Sequence, residues 1–251
     1  MNAQPDRAGL RLGRRALAEL LGTGLLVTVV VGSGIAAQRL SSDAGLQLLE
    51  NAIATALGLG VLILLLGPVS GAHFNPAVSL ADAILGRRSG TGLSLAALVL
   101  YACAQVVGAI GGAILANAMF AAPTAISSTD RATPATVLAE VVATAGLVLL
   151  IIGLARARRP VPVVAAGVGA YIGSAYWFTS STSFANPAVT VGRIFTDTFA
   201  GIAPASALPF LGAQLAGTAL GIGLAVLLFP DAIETGDLVA EPVLTETKET
   251  S

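Results

Sequence analysis

Ser70-Gly71-Ala72-His73-Phe74-Asn75-Pro76-Ala77-Val78 and Ser183-Phe184-Ala185-Asn186-Pro187-Ala188-Val189 decide the reading of this chain. Each sets Asn-Pro-Ala between a short polar stretch and a short apolar one, 77–86 in the first and 188–196 in the second. Asn is a favoured helix N-cap, and Pro suits the first helical position, where no amide hydrogen is needed. An apolar run this short cannot cross hydrocarbon, which takes about 20 residues. The pattern therefore predicts two half-helices, over 75–86 and 186–196, that enter a membrane and turn back. Irregular backbone at that depth is tolerated only where protein buries it or where it lines water.

The matches spread outward from the two motifs. Ala18-Glu19-Leu20-Leu21-Gly22-Thr23 aligns with Ala139-Glu140-Val141-Val142-Ala143-Thr144, and Gly32 then falls on Gly153. Ala104-Gln105 with Gly108 and Gly112 aligns with Ala213-Gln214 with Gly217 and Gly221. Three matched blocks in one order make an internal repeat. The glycines at i and i+4 suit close helix crossing.

Composition supplies the medium. Hydrophobic residues are 55% and charged residues only 11%, against roughly 25% charged in an average soluble protein. So few charges could not keep a soluble surface in water. One cysteine rules out an internal disulfide, and one histidine rules out a multi-histidine site. A net charge of −1 gives no pull toward nucleic acid. Six apolar stretches are long enough to span, near 14–36, 46–66, 93–120, 136–155, 160–179 and 205–229.

The expected fold is an all-α integral membrane protein, with six transmembrane helices and two re-entrant half-helices in an inverted 3+3 repeat. Three spans per half mean that the second half enters the membrane upside down. The organisation follows: an N-terminal tail over 1–13, a first repeat over 14–120, a loop over 121–135, a second repeat over 136–229 and an acidic tail over 230–251, expected to be disordered. Arg7, Arg11, Arg14, Arg15, Arg87, Arg88, Arg156, Arg158 and Arg159 share one side. The excess of basic residues there places both termini in the cytoplasm.

In this arrangement Asn75 and Asn186 cap two half-helices whose N-termini meet near the bilayer midplane. Each N-terminus carries about half a positive charge, and each Asn amide has donors to spare. Such a path repels cations and protons and lets a neutral hydroxylated solute accept hydrogen bonds.

These residues resemble the major intrinsic protein family, the aquaporins and glycerol facilitators. The resemblance runs from about Leu17 to Phe229 and is carried by Ala18-Glu19, Ser70 to Val78, Ala139-Glu140, Asn186-Pro187-Ala188 and Ala213-Gln214. It implies a passive pore in each subunit of a homotetramer, with no cofactor. Separately, one cysteine and one histidine leave no expected metal site, and no nucleophile, base and orienting group cluster along the chain as an enzyme would need. The resemblance also implies that Glu19 and Glu140 hold the re-entrant loops, and that Asn75, Pro76, Ala77, Asn186, Pro187 and Ala188 line the pore. In most of the family an arginine follows the second Asn-Pro-Ala; here Val189 stands there. Counting from the motifs, the selectivity filter is expected at Thr55, Ser174, Ser183 and Val189, a wide and uncharged set. Arg193 either reaches back toward this filter or, as the favoured reading, pairs with Asp197 at the pore mouth.

The run from Ser183 to Arg193 is similar to a bacterial branch associated with arsenic resistance. That likeness implies passage of arsenite or glycerol-like polyols, with some water, through the inner membrane of a bacterium. An ordinary water or glycerol channel, an ion-coupled secondary transporter and a structural membrane protein remain the alternatives. His73 reads as a pore-lining imidazole, with a pH sensor as the sharper alternative. Cys103 reads as a buried apolar residue, and Tyr176 and Trp177 as interfacial anchors.

Overall fold

A computed structural model describes residues 5–87 and 91–229, with side chains from residue 12 onward. It contains α1 (Pro5–Leu40), α2 (Ala44–Ser70), α3 (Pro76–Leu85), α4 (Leu95–Met119), α5 (Pro134–Arg156), α6 (Val161–Phe178), α7 (Pro187–Gly192) and α8 (Pro204–Leu228). A 3-10 turn, Arg193–Phe195, continues α7. Six of the described helices, α1, α2, α4, α5, α6 and α8, are long and apolar enough to cross a membrane. At about 1.5 Å per residue, α3 and α7 are not. Arg88 and the tail 230–251 lie outside the described residues, as do the side chains of Arg7 and Arg11.

Local chemistry starts the helices. Asp43 accepts from the Leu46 amide at α2, and Ser94 accepts from the Ala97 amide at α4. Thr133 and Thr136 cap each other reciprocally at α5. Two boundaries differ from the sequence expectation. Helix α1 begins at Pro5, inside the stretch read as a tail, because the arginine-rich segment continues the helix. The second half-helix becomes a 3-10 turn at Arg193 instead of running to 196. Asn117 of α4 explains the stop: its amide donates to the Phe195 carbonyl at 3.0 Å, and its oxygen accepts from the Thr196 hydroxyl at 2.8 Å. Those bonds draw Thr196 into extended backbone.

The spanning helices are apolar on their outer faces too. Leu17, Leu21 and Leu25 of α1 and Ile53, Leu57 and Val61 of α2 all point outward. Small residues, not hydrophobic ones, mark where helices meet, because lipid gives apolar side chains no reason to turn inward. A Cβ on Gly108 would collide with the Leu20 carbonyl, and one on Gly112 with the Gly24 carbonyl. The second half repeats this crossing of α1 on α4 with α5 on α8. There a Cβ on Gly217 would lie 2.6 Å from the Val141 carbonyl, and one on Gly221 would lie 2.7 Å from the Ala145 carbonyl. Helices α2 and α6 close the two halves onto each other, with Gly169 against Ala56. Helices α3 and α7 each pack on both halves and lie inside the bundle.

Candidate functional site: a polar path between two half-helices

The segments leading into α3 and α7 fold alike. Backbone φ is positive at Gly71, Ala72 and Phe74, and again at Thr182, Ser183 and Ala185. The three positions match when Asn75 is laid on Asn186. Left-handed backbone costs a non-glycine residue about 1–2 kcal/mol, so something must hold it.

Two fully buried carboxylates do so. Glu19 Oε1 accepts from the Ser70 hydroxyl (2.6 Å) and the His73 amide (3.0 Å), and its Oε2 accepts from the Phe74 amide (2.6 Å) and the Gln105 side chain (2.7 Å). Glu140 Oε1 accepts from the Ser181 hydroxyl (2.7 Å) and the Phe184 amide (2.8 Å), and its Oε2 accepts from the Ala185 amide (2.8 Å) and the Gln214 side chain (2.7 Å). Each carboxylate takes four donors, which suits an ionised oxygen pair. The glutamines do a second job: Gln105 also donates to Ser79 of α3 at 3.0 Å, and Gln214 donates to Thr190 of α7 at 2.8 Å. Their place in the repeat was visible in the sequence; their bridging role was not.

The asparagines cap their helices and stitch the loops together. Asn75 Oδ1 accepts from the Ala77 amide (2.9 Å), and Asn186 Oδ1 accepts from the Ala188 and Val189 amides (3.0 and 3.2 Å). The Asn75 amide donates across to the Ala185 carbonyl (2.8 Å), and the Asn186 amide donates to the Phe74 carbonyl (2.7 Å). Each NH2 has a second hydrogen, and both residues line one cavity. The cavity volume is about 70 Å³, room for on the order of five waters. Thr55, His73 and Tyr176 add polar atoms, Leu26, Ile63 and Val168 are among the apolar wall, and no Asp, Glu, Lys or Arg is among the lining residues.

The family description Major intrinsic protein matches residues 8–183. The chain belongs to the major intrinsic protein family. Aquaglyceroporin AqpS of Rhizobium meliloti (strain 1021) is 50% identical over 215 residues, covering 85% of this chain and 89% of the relative. Aquaporin-5 of Ovis aries is 30% identical over 188 residues, covering 70% and 67%. An X-ray structure of the aquaglyceroporin from Plasmodium falciparum has a TM-score of 0.69, covering 88% of this chain and 98% of its own; at 20% identity it speaks for the fold.

In this family member the four positions counted from the motifs do not converge. Thr55 and Val189 line the cavity. Ser174 does not: it is exposed on the outer side of α6, and its hydroxyl donates to the Tyr171 carbonyl within the helix. Tyr176 faces inward instead, fully packed, with its hydroxyl donating to Thr55 Oγ1 at 3.1 Å. It is therefore no interfacial anchor, whereas Trp177 is exposed. Ser183 is buried beside the cavity without lining it, and its hydroxyl has no partner. The next residue, Phe184, takes the wall position.

Arg193 does not pair with Asp197. The 3-10 turn breaks the helical spacing on which that pairing depends. Asp197 accepts from Ser127 and Ser128, while Arg193 is 3% exposed, donates from Nε to the Ala200 carbonyl and lays its guanidinium on the Phe184 ring. His73 lines the cavity with Nδ1 3.1 Å from the Ser79 hydroxyl, edge-on to Tyr101. The Tyr101 hydroxyl in turn donates to the Ser70 carbonyl (2.8 Å) and accepts from Arg15 (2.8 Å). Cys103 is exposed, not buried, because it sits on the outer face of α4, where a thiol is apolar enough for lipid.

Proposed function

We propose that this chain is a passive aquaglyceroporin-type channel for small neutral hydroxylated solutes, glycerol-like polyols and neutral arsenous acid among them, with some water. One observation carries the reading: a cavity at the junction of two half-helix N-termini, lined by the Asn75 and Asn186 amides and by no charged side chain. The positive ends of two helix dipoles disfavour cations there, and neutral solutes trade water's hydrogen bonds for the amides and loop carbonyls. At the Thr55 level the wall is two-sided. Thr55 and Tyr176 offer hydroxyls, and Val189, Phe184 and Ile172 offer apolar surface. A polyol has the same two sides, carbon on one and hydroxyls on the other. The 50% identical relative is itself named an aquaglyceroporin.

An ion-coupled transporter needs a titratable group in the path. Glu19 and Glu140 are each saturated by four donors and stay out of the lumen wall, and His73, the imidazole in that wall, engages the Ser79 hydroxyl through Nδ1, which supports a passive pore. The channel works as a homotetramer in a bacterial inner membrane, with both termini in the cytoplasm; the arginine asymmetry supports that orientation. The experiment is flux into proteoliposomes, with water, glycerol and arsenous acid measured side by side. All three should move down their gradients and be indifferent to collapse of a proton gradient. Uphill accumulation driven by that gradient would replace the channel with a transporter.

A further inference from the structure

We infer that Arg193, acting through the Phe184 ring, is a specificity-determining residue of this pore: it supplies from behind the wall the fixed positive charge that Val189 does not. The inference rests on the channel reading. The guanidinium carbon of Arg193 lies 3.5 Å from the Phe184 ring centroid, and Phe184 lines the cavity. Phe210 packs edge-on to the same ring at 5.2 Å between centroids. The ring is thus held on two sides and presents its remaining surface to the path.

Charge and bulk are divided between two residues here. Phe184 supplies bulk at the wall. Arg193 supplies charge one ring's thickness away, and it occupies the electron-rich face that would otherwise attract a passing cation. Among the described residues no carboxylate is in direct contact with it. Its Nε donates to the Ala200 carbonyl. Arg131, also near Phe184 at 5.7 Å, donates to the Gly201 and Phe199 carbonyls. Asp130 and Asp197 are bonded to Ser206 and to Ser127 and Ser128 instead of to Arg193, and both are exposed, where solvent screens their charge. Among the described residues Glu140 is the one carboxylate within electrostatic reach, and Arg131 acts on Arg193 with the opposite sign, so the buried group keeps a net positive charge. Both guanidiniums also act electrostatically on the Tyr176 hydroxyl, on the lumen wall. A cation without a contacting counter-charge, in a medium of low dielectric, projects its field across a distance of this order.

The test uses the full chain in proteoliposomes, with sodium influx read by an entrapped fluorescent dye and glycerol flux read by light scattering on the same vesicles. Arg193→Gln should raise sodium influx per unit of glycerol flux by roughly tenfold. Arg193→Lys, which keeps the charge and loses the flat stack, should stay near wild type in that ratio. Phe184→Leu should admit larger polyols while sodium stays excluded. Arg193→Met serves where the Gln variant does not insert, with the same expectation. If the Gln and Met variants lower only the melting temperature in detergent and leave the sodium ratio unchanged, Arg193 merely braces its turn and the inference is wrong. A Lys variant that leaks as the Gln variant does would equally remove charge as the cause. If wild type passes neither glycerol nor water, the channel reading itself has failed.

Discussion

Glu19 and Glu140 show how single residues set the site. Each gathers two loop amides, a serine hydroxyl and a glutamine, and so holds three left-handed residues in place. Glu140→Gln would set an NH2 group against amides that can only donate. The expected cost is about 3 kcal/mol, read as a lower melting temperature in detergent, with glycerol flux lost in step. Two wall residues have sharper consequences for transport. Val189→Arg should bring a large side chain with five donors to the Thr55 level. Glycerol flux should then fall by a larger factor than water flux on the same vesicles, and an equal fall would mean simple blockage. Tyr176→Phe removes the hydroxyl bonded to Thr55 while keeping the ring. Glycerol flux should drop severalfold and water flux less, because a polyol fills the wall with its carbon side and has fewer other partners there, whereas a small water can turn to the Thr55 hydroxyl or to a neighbouring water.

At the scale of elements, the bundle depends on backbones that touch. Gly217 of α8 lies where any Cβ would come within 2.6 Å of the Val141 carbonyl of α5. Neither backbone can retreat, since Glu140 and Gln214, joined by a hydrogen bond, sit on the same two helices nearby. Gly217→Val should therefore cost about 1–3 kcal/mol, whereas Gly212→Val, facing open space on the same helix, should stay within about 0.5 kcal/mol of wild type. Thermal unfolding of the two variants in detergent makes the comparison. Termination of α7 belongs to this scale as well. Asn117 reaches from α4 to catch both the Phe195 carbonyl and the Thr196 hydroxyl, and the resulting 3-10 turn is what delivers Arg193 to Phe184.

Across the whole molecule, the 121–133 segment lies against the 193–206 segment at one mouth of the path. Backbone bonds join Ser127 to Ile194 and Ala203 to Thr129. Two exposed carboxylates add to the seam. The Ser128 amide and hydroxyl hold the Asp197 carboxyl below the usual carboxylate range, and the Ser206 hydroxyl does the same for Asp130. With the folded pKa depressed, the stabilisation is complete above the ordinary carboxylate pKa and is lost as pH falls through the lowered value. Acidification into that range should loosen the seam before the bundle unfolds. Limited proteolysis or hydrogen exchange of residues 121–133 should then speed up, and Asp197→Asn should show the faster rate at neutral pH and less change on acidification.

The sequence by itself determined the spans, the inverted repeat and the two capped half-helices. These follow from rules that act within a few residues: the length of an apolar run, an Asn-Pro start and a repeated order of motifs. It could not determine which side of a spanning helix meets the path. Residues two apart on a helix point about 200° apart, so a count from Asn186 reached Ser174 while the fold turned Tyr176 inward. No polar–apolar stripe could have corrected the count, because α6 is apolar on the face that meets lipid and on the face that meets the cavity alike. Arg193 illustrates the same divide. Its partner was sought along the chain at Asp197, but packing of α7 against Asn117 and Phe184 redirected it. Tertiary contacts between segments distant in sequence decided where that charge came to rest.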